Sequence, residues 1–193
     1  MSLDTLKQLR EETGIPMMEC KKALDEAKGD IKRAKEVLRE KGKEMVKDRA
    51  GRVAGKGLCA TYTHAGGRIG VLLELLCETD FVAKSEDFVK TSHEICLHIA
   101  AAKPLFVSDD EIPEEFLDGE KKIYTKQMED SGKPKEILDK VIEGKLSKYK
   151  KEVSLLSQAW VKDTSKTITD LVDELKAKTG ENIQVGKFAR FEI

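Results

Sequence analysis

Apolar residues recur with the three-to-four-residue spacing of helices over the first forty residues of the chain. The apolar positions of the three stripes are Leu3, Leu6 and Leu9; Cys20, Ala23, Leu24 and Ala27; and Ile31, Ala34, Val37 and Leu38. The residues that can cap or end these helices are Ser2, Gly14, Gly29, Asp30 and Gly42. Since a short helix cannot bury its apolar face alone, the pattern predicts a three-helix domain over residues 1–45.

Strand-like patterns begin after residue 57. The segments "LCATYT" and "RIGVLLELLC" flank "HAGG", whose pair Gly66-Gly67 tolerates the positive φ of a tight hairpin turn. One face of the second strand carries Val71, Leu73, Leu75 and Cys77, and the other carries Leu72, Glu74 and Leu76. A strand that is apolar on nearly both faces is typical of the centre of a sheet.

Helical spacing returns in the second half of the chain. Ser85 can cap a helix that runs to about residue 102, and two antiparallel helices are predicted at about 112–151, interrupted by "SGKP". The predicted fold class is therefore α+β. A linker over 46–57 joins the three-helix domain to a core over 58–193, in which a small antiparallel sheet packs with helices.

Charge and composition narrow the function classes. The 193 residues include 35 basic and 36 acidic side chains, and the net charge of -1 argues against direct binding to nucleic acid. No run approaches the roughly 20 apolar residues that a membrane span needs, and no apolar leader segment is recognisable, so we expect a cytoplasmic protein without membrane contact. The four cysteines lie far apart without a C-x-x-C pair, which predicts free thiols.

Two candidate sites for small ligands fail on spacing. In "GRVAGKG" only three residues separate Gly51 from Gly55, where a phosphate-binding loop has four, and a glycine replaces the hydroxyl residue that would hold magnesium. His93, Cys96 and His98 do not gather on one helix face as metal ligands would. We therefore predict no cofactor and no metal, and interpret the basic, glycine-rich stretch as a flexible linker.

Two separated segments resemble the elongation factor Ts family. They are "LREETGIPMMECKKAL" at residues 9–24 and "ELLCETDFVAK" at residues 74–84, and the similarity extends to the closing region from residue 152. It implies a ubiquitin-associated-type three-helix domain, and a last helix followed by a strand that joins the hairpin. It further implies a guanine nucleotide exchange factor of the GTPase elongation factor Tu, which is not an enzyme in the covalent sense.

The resemblance also implies site residues. In the family, the segment after the hairpin enters the GTPase near its magnesium and β-phosphate, so Asp80 and Phe81 are expected to disturb those contacts. The neighbouring positions that shape this partner-binding corner are Thr79, Val82, Ala83 and Lys84. On the three-helix domain, the implied partner contacts are Arg10, Met17 and Met18. The chain departs from the family at Pro16, where glycine is usual, and at Leu76, where asparagine is usual.

The residues alone leave alternatives open. A phenylalanine at a strand-to-helix corner is more often buried than displayed, and both methionines can fill a small core, although at least one should lie near the surface. An adaptor that holds polypeptides on the three-helix domain, without exchange activity, is the alternative function. The chain also resembles a short-form member that lacks the second core subdomain of longer relatives, so two copies are expected to associate.

Overall fold

The structure, a computed structural model, describes residues 3–49, 51–128 and 135–193. The helices in these ranges are α1 (Leu3–Thr13), α2 (Met17–Glu26), α3 (Ile31–Arg49), α4 (Asp80–Ala83), α5 (Glu86–Ala102), α6 (Glu114–Met128), α7 (Lys135–Val153) and α8 (Ile168–Thr179). The strands are β1 (Lys56–Thr63), β2 (Ile69–Cys77), β3 (Ala159–Trp160), β4 (Asp163–Thr167) and β5 (Gln184–Glu192). The predicted α+β class is confirmed.

The three N-terminal helices surround a small apolar core, as the stripes predict. Its fully buried side chains are Leu9, Cys20, Ala23, Leu24 and Ala34. Asp30 caps α3, because its Oδ1 accepts hydrogen bonds from the backbone N–H groups of Lys32 at 2.8 Å and Arg33 at 3.1 Å. Gly14 follows α1 with φ of 68°, a conformation that glycine adopts without strain. The predicted cap Ser2 lies outside the described residues.

Helix α3 is longer than the sequence predicts. It continues through Gly42 to Arg49, and β1 begins at Lys56, so among the described residues 51–55 lie between them in neither helix nor strand, within the linker predicted over 46–57. Gly42 is buried, and a Cβ added there would lie 3.9 Å from the Cβ of Ala177 on α8. Gly42 therefore lies where α3 packs against α8 instead of ending α3, and this packing joins the three-helix domain to the core.

Strands β1, β2 and β5 form an antiparallel sheet with β2 at its centre, as predicted. Gly66 and Gly67 make the hairpin turn with φ of 87° and 70°. One face of β2 is buried through Val71, Leu73, Leu75 and Cys77. Helix α5 packs against β1 and β2, and α8 packs against α5. Phe88 of α5 and Ile168 of α8 are fully buried in this core.

The remaining elements lie at the periphery of the core. Helices α6 and α7 pack on each other as the predicted pair, and α6 has no buried residue. The predicted break "SGKP" at 131–134 lies outside the described residues. Strands β3 and β4 form a two-stranded ribbon that the sequence pattern did not predict, because β3 is only two residues long.

A buried histidine joins α5 to the segment that contains this ribbon. His98 is fully buried, with Nε2 at 2.8 Å from Oε1 of Gln158 and Nδ1 accepting the backbone N–H of Val161 at 3.3 Å. This pairing fits a neutral ring that carries its proton on Nε2. Burial lowers the pKa of His98, and the hydrogen bond to Gln158 opposes this shift only in part.

We expect the protein to lose stability as the pH falls below about 6.5, the ordinary pKa of histidine. In that range the unfolded chain takes up a proton at this residue that the folded chain resists, so protonation favours unfolding. Thermal melts followed by circular dichroism between pH 8 and pH 5 measure the effect. The loss should persist in His93→Gln, whose side chain is exposed on the same helix. A loss of equal size in a folded His98→Asn variant would contradict this assignment.

Candidate functional site

The segment that follows β2 turns sharply at residues 78–85, which we name the Phe81 corner. Thr79 has extended backbone dihedrals, with φ of -130° and ψ of 151°, and its Oγ1 accepts the backbone N–H of Val82 at 3.3 Å. It thereby caps α4, a single helical turn. Ser85 then caps α5 through the N–H of Phe88 at 3.4 Å. Two caps six residues apart reverse the chain between the sheet and α5.

This short helix separates buried from exposed side chains. Val82 and Ala83 are each 7% exposed and belong to the core, whereas Phe81 is 85% exposed. Successive helical residues point about 100° apart, so anchoring Val82 and Ala83 inward turns Phe81 outward. The buried arrangement of Phe81 that the residues alone allowed does not occur. Val82 and Ala83 shape the corner from its packed side, and a part for them in partner binding stays a prediction.

The Phe81 corner also carries exposed polar and charged side chains. Asp80, 67% exposed, lies with its Oδ2 at 3.6 Å from Nζ of Lys56 on β1. Thr79 and Lys84 are also exposed. An exposed ion pair of this kind contributes only about 0–1 kcal/mol, so Asp80 can exchange Lys56 for another charged group at little cost. The corner thus presents an aromatic ring and a carboxylate side by side.

Glu181, which the sequence pattern did not indicate, anchors the Phe81 corner through three hydrogen bonds. Oε2 of Glu181 accepts the backbone N–H groups of Glu78 and Thr79, both at 3.1 Å, and Oε1 accepts the Thr79 hydroxyl at 2.6 Å. Glu181 lies in the connection between α8 and β5. Because it is 102 residues from Thr79 in the chain, no local motif could have connected them.

The second predicted contact group lies on the three-helix domain. Met18 is 63% exposed, Met17 is half-buried and Arg10 is exposed, which confirms that at least one methionine lies at the surface. Pro16 is the N-cap of α2 with φ of -52°, so proline at this position starts the helix without disturbing it. The backbone carbonyl of Arg10 accepts the N–H of Gly14 at 2.8 Å, which brings the end of α1 to the same turn.

The structure does not merge the two groups into one site. Residues 10, 17 and 18 belong to the domain built on the N-terminal core, and residues 79–84 belong to the domain built on the sheet. Between the domains, α3 and α8 border a cleft of about 620 Å³ lined mainly by charged side chains. A Cβ at Gly14 would lie 3.5 Å from the side chain of Lys178, so the domains are also in contact beside α1.

The structure also shows where the side chains of the rejected metal-site candidate lie. His93 is exposed whereas Cys96 and His98 are buried, so these three side chains do not share a face. Across residues 3–49, 51–128 and 135–193, no group of three or more His, Cys, Asp or Glu side chains is arranged to hold a metal ion. Within the same ranges, none of the helices has the length and apolar character needed to cross a membrane.

Several known proteins are similar to this chain over its full length. The family model described as "Elongation factor TS" matches residues 17–193. The chain is 50% identical to elongation factor Ts of Caldanaerobacter subterraneus subsp. tengcongensis, over 100% of its own length and 96% of the relative's. It is also 50% identical to elongation factor Ts of Coprothermobacter proteolyticus, covering 100% and 98%, and 47% identical to that of Thermotoga petrophila, covering 100% and 96%.

Proposed function

The chain belongs to the elongation factor Ts family, and from this premise we propose that it is a guanine nucleotide exchange factor for elongation factor Tu. In this proposal it works in the cytoplasm, performs no covalent chemistry and accelerates GDP release by binding. The observation that supports it most directly is the Phe81 ring, which is 85% exposed although the next two residues, Val82 and Ala83, are buried. An exposed aromatic ring on a rigid support is what a wedge into another protein requires.

Exchange requires that the factor bind the nucleotide-free GTPase more tightly than the GDP-bound form. The coupling is reciprocal, so the preference of the factor equals the weakening of GDP binding. A thousandfold weakening corresponds to about 4 kcal/mol, whereas burying one phenylalanine contributes only about 1.5–3 kcal/mol. Phe81 alone is therefore insufficient, and a second contact must supply the difference.

We assign that second contact to Arg10, Met17 and Met18. The linker expected from the sequence would have attached them flexibly, but the packing of α3 on α8 holds their domain against the core. A contact group that is already positioned loses less conformational entropy on binding than a tethered one. The two contact groups can therefore act on the same partner mainly because the fold already positions them, and less because a tether raises the local concentration of one group near the other.

At the GTPase, we propose that Phe81 enters beside the phosphate and magnesium site, where Asp80 follows it. A carboxylate brought to that site repels the β-phosphate and competes for the metal ion, both of which weaken GDP binding. Asp80 is suited to this because its present partner, Lys56, is an exposed side chain that can be exchanged.

The test is release of fluorescent GDP from elongation factor Tu, followed with and without the intact protein at increasing concentration. A rate that rises and saturates supports the exchange function. An unchanged release rate would overturn it, and polypeptide binding by the three-helix domain would then be the alternative to measure.

We expect Met18→Ala to reduce the second-order rate constant for exchange about fivefold. Truncating a methionine that becomes buried at an interface removes about 1 kcal/mol of binding free energy. Because the interaction anchors the complex, the loss should appear in the concentration needed for half-maximal rate, while the saturated rate changes little.

The matched control for this variant is Leu3→Ala. Leu3 is 67% exposed on α1 of the same domain and lies outside the proposed contact. An equal reduction in both variants would contradict a specific contact at Met18.

We further propose that two copies associate through the open face of the sheet. On this face Leu72 is 45% exposed and Phe191 is 72% exposed, although a face in water normally carries polar residues. Phe191 lies opposite Gly70, which shares the Leu72 side of β2, so both apolar groups point the same way. A twofold axis would place each patch against its own copy.

A further inference from the structure

We propose that Glu181 is a positioning residue for nucleotide exchange, because its carboxylate sets the orientation in which the Phe81 corner meets the GTPase. This inference rests on the proposed exchange function and adds to it a residue from the other end of the core sequence. Glu181 reaches the corner from behind, and its effect on a partner would pass through Thr79 and α4.

Both oxygens of this carboxylate are used by the corner. Oε2 accepts two successive backbone N–H groups, from Glu78 and Thr79, and Oε1 accepts the hydroxyl of Thr79. Hydrogen bonds to an ionised acceptor are the stronger class, and three of them on one carboxylate fix both the backbone and the side chain at one point. The point lies at the last residue before α4 begins.

The Thr79 hydroxyl connects the Glu181 carboxylate to α4, the helix that carries Phe81. The hydroxyl donates to Glu181 at 2.6 Å and accepts the N–H of Val82 at 3.3 Å, so one oxygen joins the carboxylate to the N-cap of α4. A helix of four residues has almost no stability of its own. Its direction, and with it the direction of Phe81, therefore depends on this cap and on the buried neighbours of the ring.

The residue after Glu181 extends the arrangement to the connection between the domains. Asn182 is 1% exposed, donates its backbone N–H to Oε1 of Glu78 at 2.6 Å and donates its side-chain amide to the carbonyl of Arg52 at 2.7 Å. Arg52 in turn pairs with Glu78, with Nη1 at 3.7 Å from Oε1. The neighbouring residues 181 and 182 thus hydrogen-bond both to the Phe81 corner and to the connection between the domains.

Substitutions at Glu181 distinguish a role that depends on the length of its side chain from one that depends on its negative charge. Glutamine keeps the length and one acceptor oxygen for the two backbone N–H groups, and its amide can donate to the Thr79 hydroxyl. Aspartate keeps the charge but is one methylene too short. If Glu181 positions the corner, Glu181→Gln should stay within about threefold of the intact protein, and Glu181→Asp and Glu181→Ala should lose about tenfold in the second-order exchange rate constant.

The matched control is Glu174→Ala on α8. It also removes a carboxylate, one that pairs with Lys166 at 2.6 Å near the domain boundary and that, among the described residues, makes no hydrogen bond to the corner. This variant should exchange nucleotide at the rate of the intact protein. Thermal melts of all variants establish that they are folded under the assay conditions.

A second readout does not depend on exchange. In the full chain with 4-fluorophenylalanine at position 81, Glu181→Asp and Thr79→Val should increase the ¹⁹F-detected mobility of the ring, whereas Glu181→Gln and Thr79→Ser should not. If the intact protein fails to release GDP, the proposed function fails, yet this measurement still decides the role of Glu181. Exchange that follows charge, with Glu181→Asp active and Glu181→Gln inactive, or unchanged ring mobility in Glu181→Asp, would overturn the proposal.

Discussion

The Phe81→Ala variant should lose about one to two orders of magnitude in exchange activity while keeping its fold. Truncation removes about 1.5–3 kcal/mol of burial at the partner, which corresponds to roughly a 10- to 150-fold lower second-order rate constant. The ring is 85% exposed in the free protein, so its removal deletes little internal packing. Release of fluorescent GDP from elongation factor Tu measures the first effect, and thermal melting measures the second.

Two further variants make this result interpretable. Phe81→Leu retains apolar volume and should recover part of the lost activity. Leu105→Ala removes another apolar side chain from the surface of the domain that contains the sheet. Leu105 is 57% exposed, and its truncation should leave the exchange rate unchanged. Full exchange activity in Phe81→Ala would exclude the ring as the wedge, even if the intact protein is an exchange factor.

The Phe191→Asp variant should convert a dimer into a monomer. Phe191 is 72% exposed on the open face of the sheet, and twofold symmetry would bury two new carboxylates in one interface. Burying unpaired charges costs about 3 kcal/mol or more, so the dimer Kd should rise more than about a hundredfold. Sedimentation equilibrium across a concentration series measures this change directly.

The control for the dimer is Ile137→Asp on α7. Ile137 is 48% exposed and lies on the peripheral helix pair, so the same chemical change there should leave the association intact. A strictly monomeric intact protein at working concentration would refute the dimer. It would leave the exposure of Leu72 and Phe191 to be explained by another partner.

The elements predicted from the sequence are those whose stabilising contacts are close in the chain. Helices α1 and α2 follow from apolar spacing bounded by glycine, and the hairpin follows from Gly66-Gly67 between two apolar runs. Placing β2 at the centre followed from its apolar character on both faces. In each case propensity, pattern and turn chemistry agree, so local information suffices.

The errors have the opposite character. Gly42 carries the local signal of a helix end, but α3 continues through it to Arg49 and packs there against α8, a contact with residues far away in the chain. Only the structure shows that the core buries Val82 and Ala83 and leaves Phe81, their neighbour in the motif, exposed. Glu181 carried no signal at all. The exchange roles of residues 10, 17, 18 and 79–84 stay predictions.

The sequence by itself determined the α+β class, the order of the elements and the two segments that carry the family resemblance, because periodicity and turn residues act over a few positions. Only the tertiary structure decided that Phe81 faces water, that α3 fastens the three-helix domain to α8, and that Glu181 holds the corner. These features depend on contacts between residues more than a hundred positions apart. Such contacts form when the chain folds and excludes water, and no short stretch of sequence encodes them.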